Sequence, residues 1–272
     1  MERVIDGWLA DAFGVRADRV EPVTRATWRV RAGGADLAVK VGAGRCGALV
    51  AEHVGLGDGV RTVDGELVSV RGGRWMAVSR WNGGVLGVDA KMTARHWRSL
   101  GELLRRVHSA PRLAGLPEDR HDLEALLARL AATRWCGHPV VRDLRARAVE
   151  LAGLPAGPRG VCHGDPHLGN TFAHADGTVS LIDWDDAVAA RPEWDVMFVL
   201  GGGVLADRLV GAAEQEWFSE GYGRSVSAPH LVFHRCVRAL TDLVELAEEG
   251  GAAAEGHIAD ILGVVGPRAV MS

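Results

Sequence analysis

The chain has 272 residues, of which 47% are hydrophobic and 24% charged, and its formal net charge is −4. This length allows one large domain or two modest domains that share a cleft, and the composition is typical of a soluble globular protein. The four scattered cysteines lack metal-ligand spacing, the acids near the start argue against a signal peptide, and the longest apolar stretch, 196–206, is too short to span a bilayer. We therefore expect a cytoplasmic protein with free thiols, without membrane contact and, lacking a basic patch with interleaved aromatic residues, without a nucleic-acid partner.

Charge is unevenly distributed along the chain. Residues 1–182 carry 25 Lys and Arg against 20 Asp and Glu (+5), whereas residues 183–272 carry 6 against 15 (−9), and the two sum to −4. A basic first part suits a polyanionic nucleotide, and an acidic last part suits a cationic small molecule. The alternative is that these acids only solvate exposed helix faces.

The first eighty residues predict a small, mostly antiparallel sheet behind one opening helix. Apolar residues at helical spacing run from Val4 to Phe13 and end at Gly14. Four short strand-forming runs follow, joined in pairs by double-glycine turns: 28–31, 37–41, 65–71 and 74–79. A further helix is expected at 47–55, between the second and third strands.

Beyond residue 81 the apolar spacing changes to that of helices. Apolar stripes predict helices at six positions: 97–107, 123–130, 144–151, 206–219, 228–249 and 254–264. The sequence therefore predicts an α+β, bilobal fold, with a sheet-rich lobe at 1–81, a mainly helical lobe at 82–272 and a hinge at 79–84.

The run HGDPHLGN at residues 163–170, followed by Asp183 in the run LIDW, carries most of the chemical information. An Asp with an Asn five residues on and a second Asp thirteen further along is the layout of a phosphoryl-transfer site. Asp165 would meet the acceptor hydroxyl, while Asn170 and Asp183 would bind Mg²⁺. The Asp-Gly turn at 176–177 predicts a hairpin that brings Asp183 back beside Asn170.

Two other interpretations of this run were weighed. His163, Asp165 and His167 alternate along the chain and could bind a transition metal such as zinc. A lone His-x-Asp is also common in ordinary hydrogen-bonded loops. Both alternatives leave Asn170 and Asp183 unexplained, so phosphoryl transfer accounts for more of the sequence.

A phosphoryl-transfer site also needs a cation on the nucleotide phosphates and a carboxylate that orients it. Lys40 ends a predicted strand, as the nucleotide-binding lysine of kinase-like enzymes does. Glu52, on the helix expected at 47–55, is the predicted partner of Lys40.

The rest of the nucleotide site is less distinctive. A glycine-rich loop is missing, and Thr24 and Thr27 of the run TRAT are expected to reach the phosphates instead, although a plain β-turn is an equal alternative. The hinge residues Ser79, Arg80 and Trp81 would meet adenine through main-chain atoms, although Trp81 could instead belong to the core.

With these residues in place, the chain resembles the aminoglycoside phosphotransferase family of antibiotic kinases. The resemblance rests on three motifs and covers nearly the whole chain: the HGDPHLGN run at 163–170, IDW at 182–184 and a helix ending in VHS at 107–109. The segments 183–186, 191–198, 201–203 and 220–223 give a narrower likeness to the spectinomycin phosphotransferases of that family.

This resemblance implies a protein-kinase-like fold and an O-phosphotransferase that uses ATP, with GTP left open by the missing glycine-rich loop, and Mg²⁺. Its acceptor would be a hydroxylated, cationic antibiotic, with spectinomycin as the first expectation. Asp165 would orient or accept the proton of the acceptor hydroxyl. His163 would brace the catalytic loop, and Asp195 would anchor it.

Five residues are candidates for contact with the acceptor: Asp185 and Asp186 for its ammonium groups, and Trp194, Trp217 and Tyr222 as walls of a sugar or cyclitol site. Solvated acids and core aromatic residues are the alternatives at these positions. Other functions that remain open are a metabolite or nucleoside-antibiotic kinase of the same fold and a nucleotide-binding regulator with an inactive site. The chain is expected to be a monomer or a dimer.

Overall fold

The first part of the chain folds as a six-stranded sheet with two helices. The computed structural model describes residues 2–119, 122–200 and 210–270. The elements of this part are α1 (Glu2–Phe13), β1 (Arg19–Pro22), β2 (Thr27–Ala32), β3 (Ala35–Gly42), α2 (Gly47–His53), β4 (Gly59–Val60), β5 (Val68–Arg71) and β6 (Arg74–Arg80). The strand order is β1-β2-β3-β6-β4, β5 also pairs with β6, and all of these pairs are antiparallel.

Buried and partly exposed side chains alternate along β3, and this alternation shows which face of the sheet lies toward the cleft. Leu37, Val39 and Val41 are buried in an apolar cluster that also contains the inner face of α1. Because successive side chains of a strand point to opposite faces, Ala38 and Lys40 lie on the other face. Lys40 is thus held on a rigid strand, and burial of its neighbours fixes the direction of its side chain.

The second part of the chain is mainly helical, with short strand pairs between its helices. Its elements are β7 (Val85–Leu86), α3 (Ala94–Ser109), α4 (Leu123–Ala131), α5 (Pro139–Leu151), β8 (Gly160–Cys162), β9 (Thr171–Ala173), β10 (Val179–Leu181), β11 (Val188–Ala190), α6 (Glu193–Val196), α7 (Ala212–Tyr222), α8 (Ala228–Glu249), α9 (Ala252–Asp260) and α10 (Gly266–Ala269). β9 and β10 form a hairpin to which β7 adds, and β8 pairs with β11. β6 thus ends at Arg80, and the next strand, β7, already belongs to the second part of the chain.

Two glycines allow α3 and α7 to pack closely. A Cβ atom at Gly101 would lie 2.3 Å from the carbonyl oxygen of Phe218, and one at Gly221 would lie 2.0 Å from that of Arg98. No side chain fits at those distances, so the two helix backbones touch. This contact positions the C-terminal ends of both helices, which carry His108 and Tyr222.

The structure confirms the predicted α+β class and corrects some element boundaries. β5 begins at Val68 rather than at residue 65, because Gly65 has φ +86° and lies in a turn closed by its N–H and the Thr62 carbonyl. The helix expected at 206–219 is α7, which begins at Ala212, and residues 206–209 lie outside the described residues. The helix expected at 254–264 becomes a π-helical turn at Ile261–Val265. Within the described residues, no helix combines the length and apolar character needed to cross a bilayer.

Candidate active site

The HGDPHLGN run forms a loop between β8 and β9, and a buried carboxylate holds the start of that loop. Asp195 accepts hydrogen bonds from the backbone N–H groups of His163 (2.8 Å) and Gly164 (2.9 Å). His108 donates to the same carboxylate from Nε2 at 2.9 Å, and its Nδ1 lies 2.9 Å from the Tyr222 hydroxyl. A fully paired network of this kind is rigid because every polar atom in it would lose a partner if the loop moved.

His163 links this loop to the strand that precedes Asp183. Its Nε2 lies 2.9 Å from the carbonyl oxygen of Ile182, to which it donates, and its Nδ1 accepts from the backbone N–H of Asp165 at 3.3 Å. Burial lowers the pKa of His163 by more than the charge of Asp195 raises it, so the ring is neutral. With both ring nitrogens used in hydrogen bonds, the geometry fits the bracing role expected for His163.

The same geometry removes the support for a zinc site. Across residues 2–119, 122–200 and 210–270, the only convergent group of three or more potential His, Cys, Asp or Glu ligands is His108, Cys162 and Asp195. That group is buried, and its His and Asp atoms already hold one another and the loop backbone. His163 faces away from a shared metal position, toward Ile182.

Asp165 is held as a carboxylate at the centre of the loop. Its Oδ1 lies 3.2 Å from Nη1 of Arg238, and its Oδ2 lies 3.4 Å from both the Asn170 amide nitrogen and Nε2 of His167. Burial alone would raise the pKa of Asp165, but the hydrogen bond with His167 and the charge of Arg238 outweigh burial and lower it. The side chain is therefore ionised near neutral pH and can accept a hydrogen bond from a hydroxyl group.

The hairpin brings Asn170 and Asp183 together, as the sequence predicted. β9 and β10 pair with Leu181 opposite Thr171, and the N–H of Ile182 donates to the Asn170 carbonyl at 3.0 Å. Asp183 follows directly. The Asn170 amide nitrogen donates to the Asp165 carbonyl at 2.9 Å. The amide oxygen of Asn170, the atom that a hard cation binds, takes no part in that bond.

Asp183 has a strained backbone. Its φ of 62° and ψ of 65° place it in the left-handed region, and among the described residues it is the only non-glycine with positive φ. Such a conformation costs about 1–3 kcal/mol and is concentrated at functional sites. At this turn the Asp183 carboxylate lies beside the side chain of Lys40.

Lys40 bridges the sheet and the strained turn. Its Nζ lies 2.5 Å from Oδ1 of Asp183 and 2.7 Å from Oδ2 of Asp185. Burial would lower the pKa of Lys40, but its hydrogen bonds with the two carboxylates outweigh burial and raise it. The lysine thus keeps its positive charge, as a ligand for phosphate groups requires.

The structure corrects the predicted partner of Lys40. Glu52 forms an ion pair with Arg61 at 2.7 Å, and the carboxylate that joins Lys40 to α2 is Asp185. Asp185 Oδ1 also accepts from the backbone N–H of Gly47 at 2.9 Å, at the first residue of α2. α2 has only seven residues, and its first residue is bound to Asp185. Glu52 therefore lies in the last turn of α2, where it contacts Arg61.

Asp185 is therefore not positioned as an acceptor contact. Its two oxygens face Lys40 and Gly47, on the side of the sheet. Gly47 itself allows this approach, because a Cβ there would lie 2.5 Å from the backbone carbon of Trp184. Asp186 is exposed at the same turn, and its contact with an acceptor stays a prediction.

The charge and chemistry of this cleft fit a divalent cation. It gathers four carboxylates against the two cationic side chains paired with them: Asp165, Asp183, Asp185 and Asp186 against Lys40 and Arg238. Although Asp186 is exposed as a residue, partial burial of its carboxyl group and the charges of the other three carboxylates raise its pKa. Carboxylate and amide oxygens are the ligands that Mg²⁺ prefers, so Asn170 and Asp183 could hold this ion.

The segment expected to reach nucleotide phosphates is a closed β-turn. Thr24 Oγ1 accepts from the N–H of Ala26 at 3.1 Å, and the N–H groups of Val23 and Thr24 both donate to the Thr27 carbonyl. Thr27 lies directly opposite Lys40 in the sheet. The turn is therefore next to the lysine, while its own backbone donors at 23 and 24 are used within the turn.

At the hinge, the structure reveals an arginine that the sequence did not single out. The Arg29 guanidinium stacks 5.0 Å from the Trp81 ring centre and pairs with Asp36 at 2.5 Å. The N–H of Trp81 donates to the Asp36 carbonyl, so this main-chain donor is unavailable to adenine, contrary to expectation. Ser79 lies opposite Ala38 on the cleft face, whereas Arg80 lies opposite Leu37, whose side chain is on the other face. A cavity of about 610 Å³ borders this hinge.

The aromatic residues proposed as acceptor walls have structural positions instead. Tyr222 is only 1% exposed and packs against Phe218, one helical turn earlier, in the interface with α3. Trp217 is half-buried against the same core, and Trp194 donates from Nε1 to the Gly164 carbonyl at 2.8 Å. Trp194 thus supports the catalytic loop, and Tyr222 supports its anchor. The glycine run at 201–203 lies outside the described residues.

Comparison with known proteins is consistent with this geometry. The spectinomycin phosphotransferase APH(9)-Ia, solved with AMP, superposes with a TM-score of 0.84 at 17% identity, covering 98% of this chain and 97% of that one. Choline kinase LicA from Streptococcus pneumoniae gives 0.65 at 18% identity over 99% and 97%. Aminoglycoside phosphotransferase APH(4)-Ia gives 0.65 at 15% identity over 94% and 98%.

These solved structures share the kinase-like fold described above. In sequence, residues 45–230 match the phosphotransferase enzyme family, a span that contains the whole catalytic loop, the hairpin and the strained turn. The protein therefore belongs to the phosphotransferase enzyme family and transfers phosphoryl groups to hydroxyl acceptors.

Proposed function

We propose that the protein is an ATP- and Mg²⁺-dependent O-phosphotransferase whose acceptor is a hydroxylated, cationic antibiotic of the aminocyclitol type, with spectinomycin as the first candidate. The observation that carries this proposal is the convergence of Lys40, Asn170 and Asp183 beside the ionised Asp165. Such an enzyme would confer resistance to its acceptor. It would act in the cytoplasm, where ATP is available.

The residues of the cleft divide the work of phosphoryl transfer. Lys40 would bind nucleotide phosphates, exchanging part of its pairing with Asp183 for phosphate oxygens. Asn170 and Asp183 would hold Mg²⁺, which supplies neutralisation of the charge on the transferred phosphoryl group. Asp183 can serve in this way because its side chain is 49% exposed and its carboxylate already lies beside Lys40.

Asp165 is the proposed catalytic base. It would accept a hydrogen bond from the acceptor hydroxyl, orient that oxygen toward the γ-phosphorus and take its proton as the new O–P bond forms. The bond between the γ-phosphorus and the bridging oxygen breaks, and ADP leaves with that oxygen. Because its pKa is lowered, Asp165 is ionised near neutral pH and can accept the hydrogen bond from the hydroxyl.

The acceptor class is supported by charge and by likeness to solved enzymes. The last third of the chain, residues 183–272, carries 15 acids against 6 basic residues, and an acidic surface attracts cations. A structure of the spectinomycin enzyme with ADP and spectinomycin superposes with a TM-score of 0.82. The likeness to choline kinase supports a second candidate, a small amino alcohol. An inactive regulator is disfavoured because Lys40, Asp165, Asn170 and Asp183 are all present.

The proposal is tested by measuring ATP consumption with a panel of acceptors: aminocyclitols, aminoglycosides, nucleoside antibiotics, choline and neutral sugars. We expect Mg²⁺-dependent turnover with an amine-bearing compound, highest for an aminocyclitol, and GTP is compared with ATP in the same assay. The variant Asp165→Asn serves as the control for contaminating kinases. Turnover with neutral sugars alone would contradict the proposed acceptor class.

A further inference from the structure

An arginine of α8, far from the catalytic loop in sequence, is paired with the catalytic carboxylate. Arg238 Nη1 lies 3.2 Å from Oδ1 of Asp165, and Arg238 Nε donates to Oδ1 of Asp242 at 2.8 Å. Its guanidinium also lies over the Phe198 ring, 5.2 Å from the ring centre. The side chain is held from three directions, and only 20% of it is exposed. Held in this way, the guanidinium is a fixed donor rather than a mobile surface charge.

Among the described residues, Arg238 is the partner that accounts for the burial of Asp242. Its Oδ2 is buried and has no hydrogen-bond partner among the described residues, and burial raises the pKa of this carboxyl to about 6. A buried carboxylate with one unsatisfied oxygen is unfavourable by itself. Its one strong interaction is with Arg238, one helical turn earlier on α8, so Asp242 acts as the tether of that arginine.

Arg238 remains charged in this position. Burial would lower the pKa of its guanidinium, but the charges of Asp242 and Asp165 outweigh burial and raise it. The guanidinium contacts Oδ1 of Asp165 at 3.2 Å, while Asn170 and His167 contact Oδ2 at 3.4 Å, so the carboxylate is held at both oxygens in one orientation. The arrangement is that of a base oriented by a third group.

We propose that Arg238 is a positioning residue for the catalytic base: tethered by Asp242, it fixes the carboxylate of Asp165 in the orientation that receives the acceptor hydroxyl. This inference rests on the proposed role of Asp165. The charged and titratable groups that act on Asp165 come from three elements: His163 and His167 from the catalytic loop, Asp186 from the turn after Asp183, and Arg238 and Asp242 from α8.

The decisive experiment records the carboxyl-carbon NMR signal of Asp165 at neutral pH in ¹³C-labelled protein, with Asp165→Asn used to assign the signal. The variant Arg238→Gln keeps a hydrogen-bonding group but removes the charge. We expect the single Asp165 signal of the wild type to shift and broaden in Arg238→Gln, because the carboxylate is no longer held in one orientation. Arg238→Lys should give a smaller change. An unchanged Asp165 signal in Arg238→Gln would overturn the proposal.

Arg235 provides the matched control on the same helix. It is also buried, and its guanidinium bonds to the Arg268 carbonyl rather than to the cleft. Arg235→Gln should lower thermal stability without changing the Asp165 signal. Should Arg238→Gln fail to fold, Asp242→Asn, which loosens the tether, is expected to shift and broaden the same signal, and no change there would also overturn the proposal.

Kinetics give a second readout that a structural role would not affect. Because Asp165 must be oriented toward the acceptor hydroxyl in the transition state, Arg238→Gln should lower kcat by about tenfold, and Arg238→Lys should recover part of that loss. The KM for ATP should stay within about twofold of the wild-type value, because Arg238 is not placed on the nucleotide. If the wild-type protein phosphorylates no acceptor, the proposed function fails, while the NMR signal still decides whether Arg238 orients Asp165.

Discussion

Replacing Asp185 with asparagine tests which carboxylate orients the phosphate-binding lysine. In the structure, Lys40 lies 2.7 Å from Asp185, whereas Glu52 lies 2.7 Å from Arg61. The asparagine oxygen can still accept from the N–H of Gly47, so the start of α2 keeps its contact. The substitution therefore removes one charge from Lys40 and little else.

The expected effect follows from the burial of the pair. The side chains of Lys40 and Asp185 are 28% and 34% exposed, between a surface and a buried pair. A hydrogen bond between charged groups contributes about 1.5–3 kcal/mol, and partial exposure favours the low end. Because about 1.4 kcal/mol corresponds to a factor of ten, Asp185→Asn should lower kcat by about tenfold.

The affinity for nucleotide should respond to Asp185→Asn differently from kcat. Removing a negative charge beside the phosphates also relieves repulsion, which opposes the loss of orientation of Lys40. We therefore expect the affinity for ADP, measured by titration calorimetry with Mg²⁺, to change by less than about threefold while kcat falls.

The control variant is Glu52→Gln. The Glu52–Arg61 pair is 42% and 55% exposed, so its loss should cost at most about 1 kcal/mol of stability. ATP turnover should stay at the wild-type value. Wild-type kcat in Asp185→Asn, or an equal loss in Glu52→Gln, would refute the assignment of Asp185.

Five further substitutions have defined outcomes. Asp165→Asn should lower kcat by about 10²–10⁴ and leave ADP affinity intact, and a near-native rate would remove Asp165 as the base. Asp183→Asn should fold, because asparagine tolerates a left-handed backbone, yet lose about 10²-fold or more in turnover together with its response to Mg²⁺. Gly221→Ala should lower the free energy of unfolding in urea by about 1–3 kcal/mol, whereas Gly7→Ala on exposed α1, where a Cβ meets nothing within 4 Å, should raise it by up to about 1 kcal/mol. Tyr222→Phe should lower stability by about 1–3 kcal/mol, because His108 loses a buried partner, without changing the KM of any acceptor, and a raised acceptor KM would restore Tyr222 as a wall of the site.

The part of the site that could be predicted from sequence is the part encoded over short distances. Asp165, Asn170 and Asp183 lie within one loop and one hairpin, and the Asp-Gly turn at 176–177 fixes how the chain returns. In the structure Gly177 has φ +84° and the Asp176 carboxylate accepts from the N–H of Thr178. Local turn chemistry therefore determined the geometry that the spacing indicated.

The predictions that were wrong depend on how distant elements pack. Glu52 and Asp185 both follow Lys40 along the chain. Only the packing of α2 against the turn after Asp183 determines which of the two carboxylates pairs with Lys40. Tyr222 is buried because Gly101 and Gly221 let two helices touch, which no local pattern reveals. An aromatic residue that lines a binding site and one that packs in the core give the same local sequence pattern.

Arg238 illustrates a residue that sequence inspection passes over. With Asp242 four positions on, it has the spacing of an ordinary ion pair on a helix surface. Its significance comes from Asp165, 73 positions earlier in the chain. Only the packing of α8 against the catalytic loop brings these two residues together.

The central claim is that Asp165, Asn170, Asp183 and Lys40 form one phosphoryl-transfer site for a hydroxylated, cationic acceptor. Its most direct test incubates the wild-type protein with ATP, Mg²⁺ and the acceptor panel, spectinomycin first, and identifies products by ³¹P NMR and mass spectrometry. The account predicts one phosphate ester on an amine-bearing acceptor, formed by the wild type and almost absent with Asp165→Asn. A phosphate ester formed equally fast by Asp165→Asn, or none on any amine-bearing acceptor by a wild-type protein that binds ADP, would contradict it.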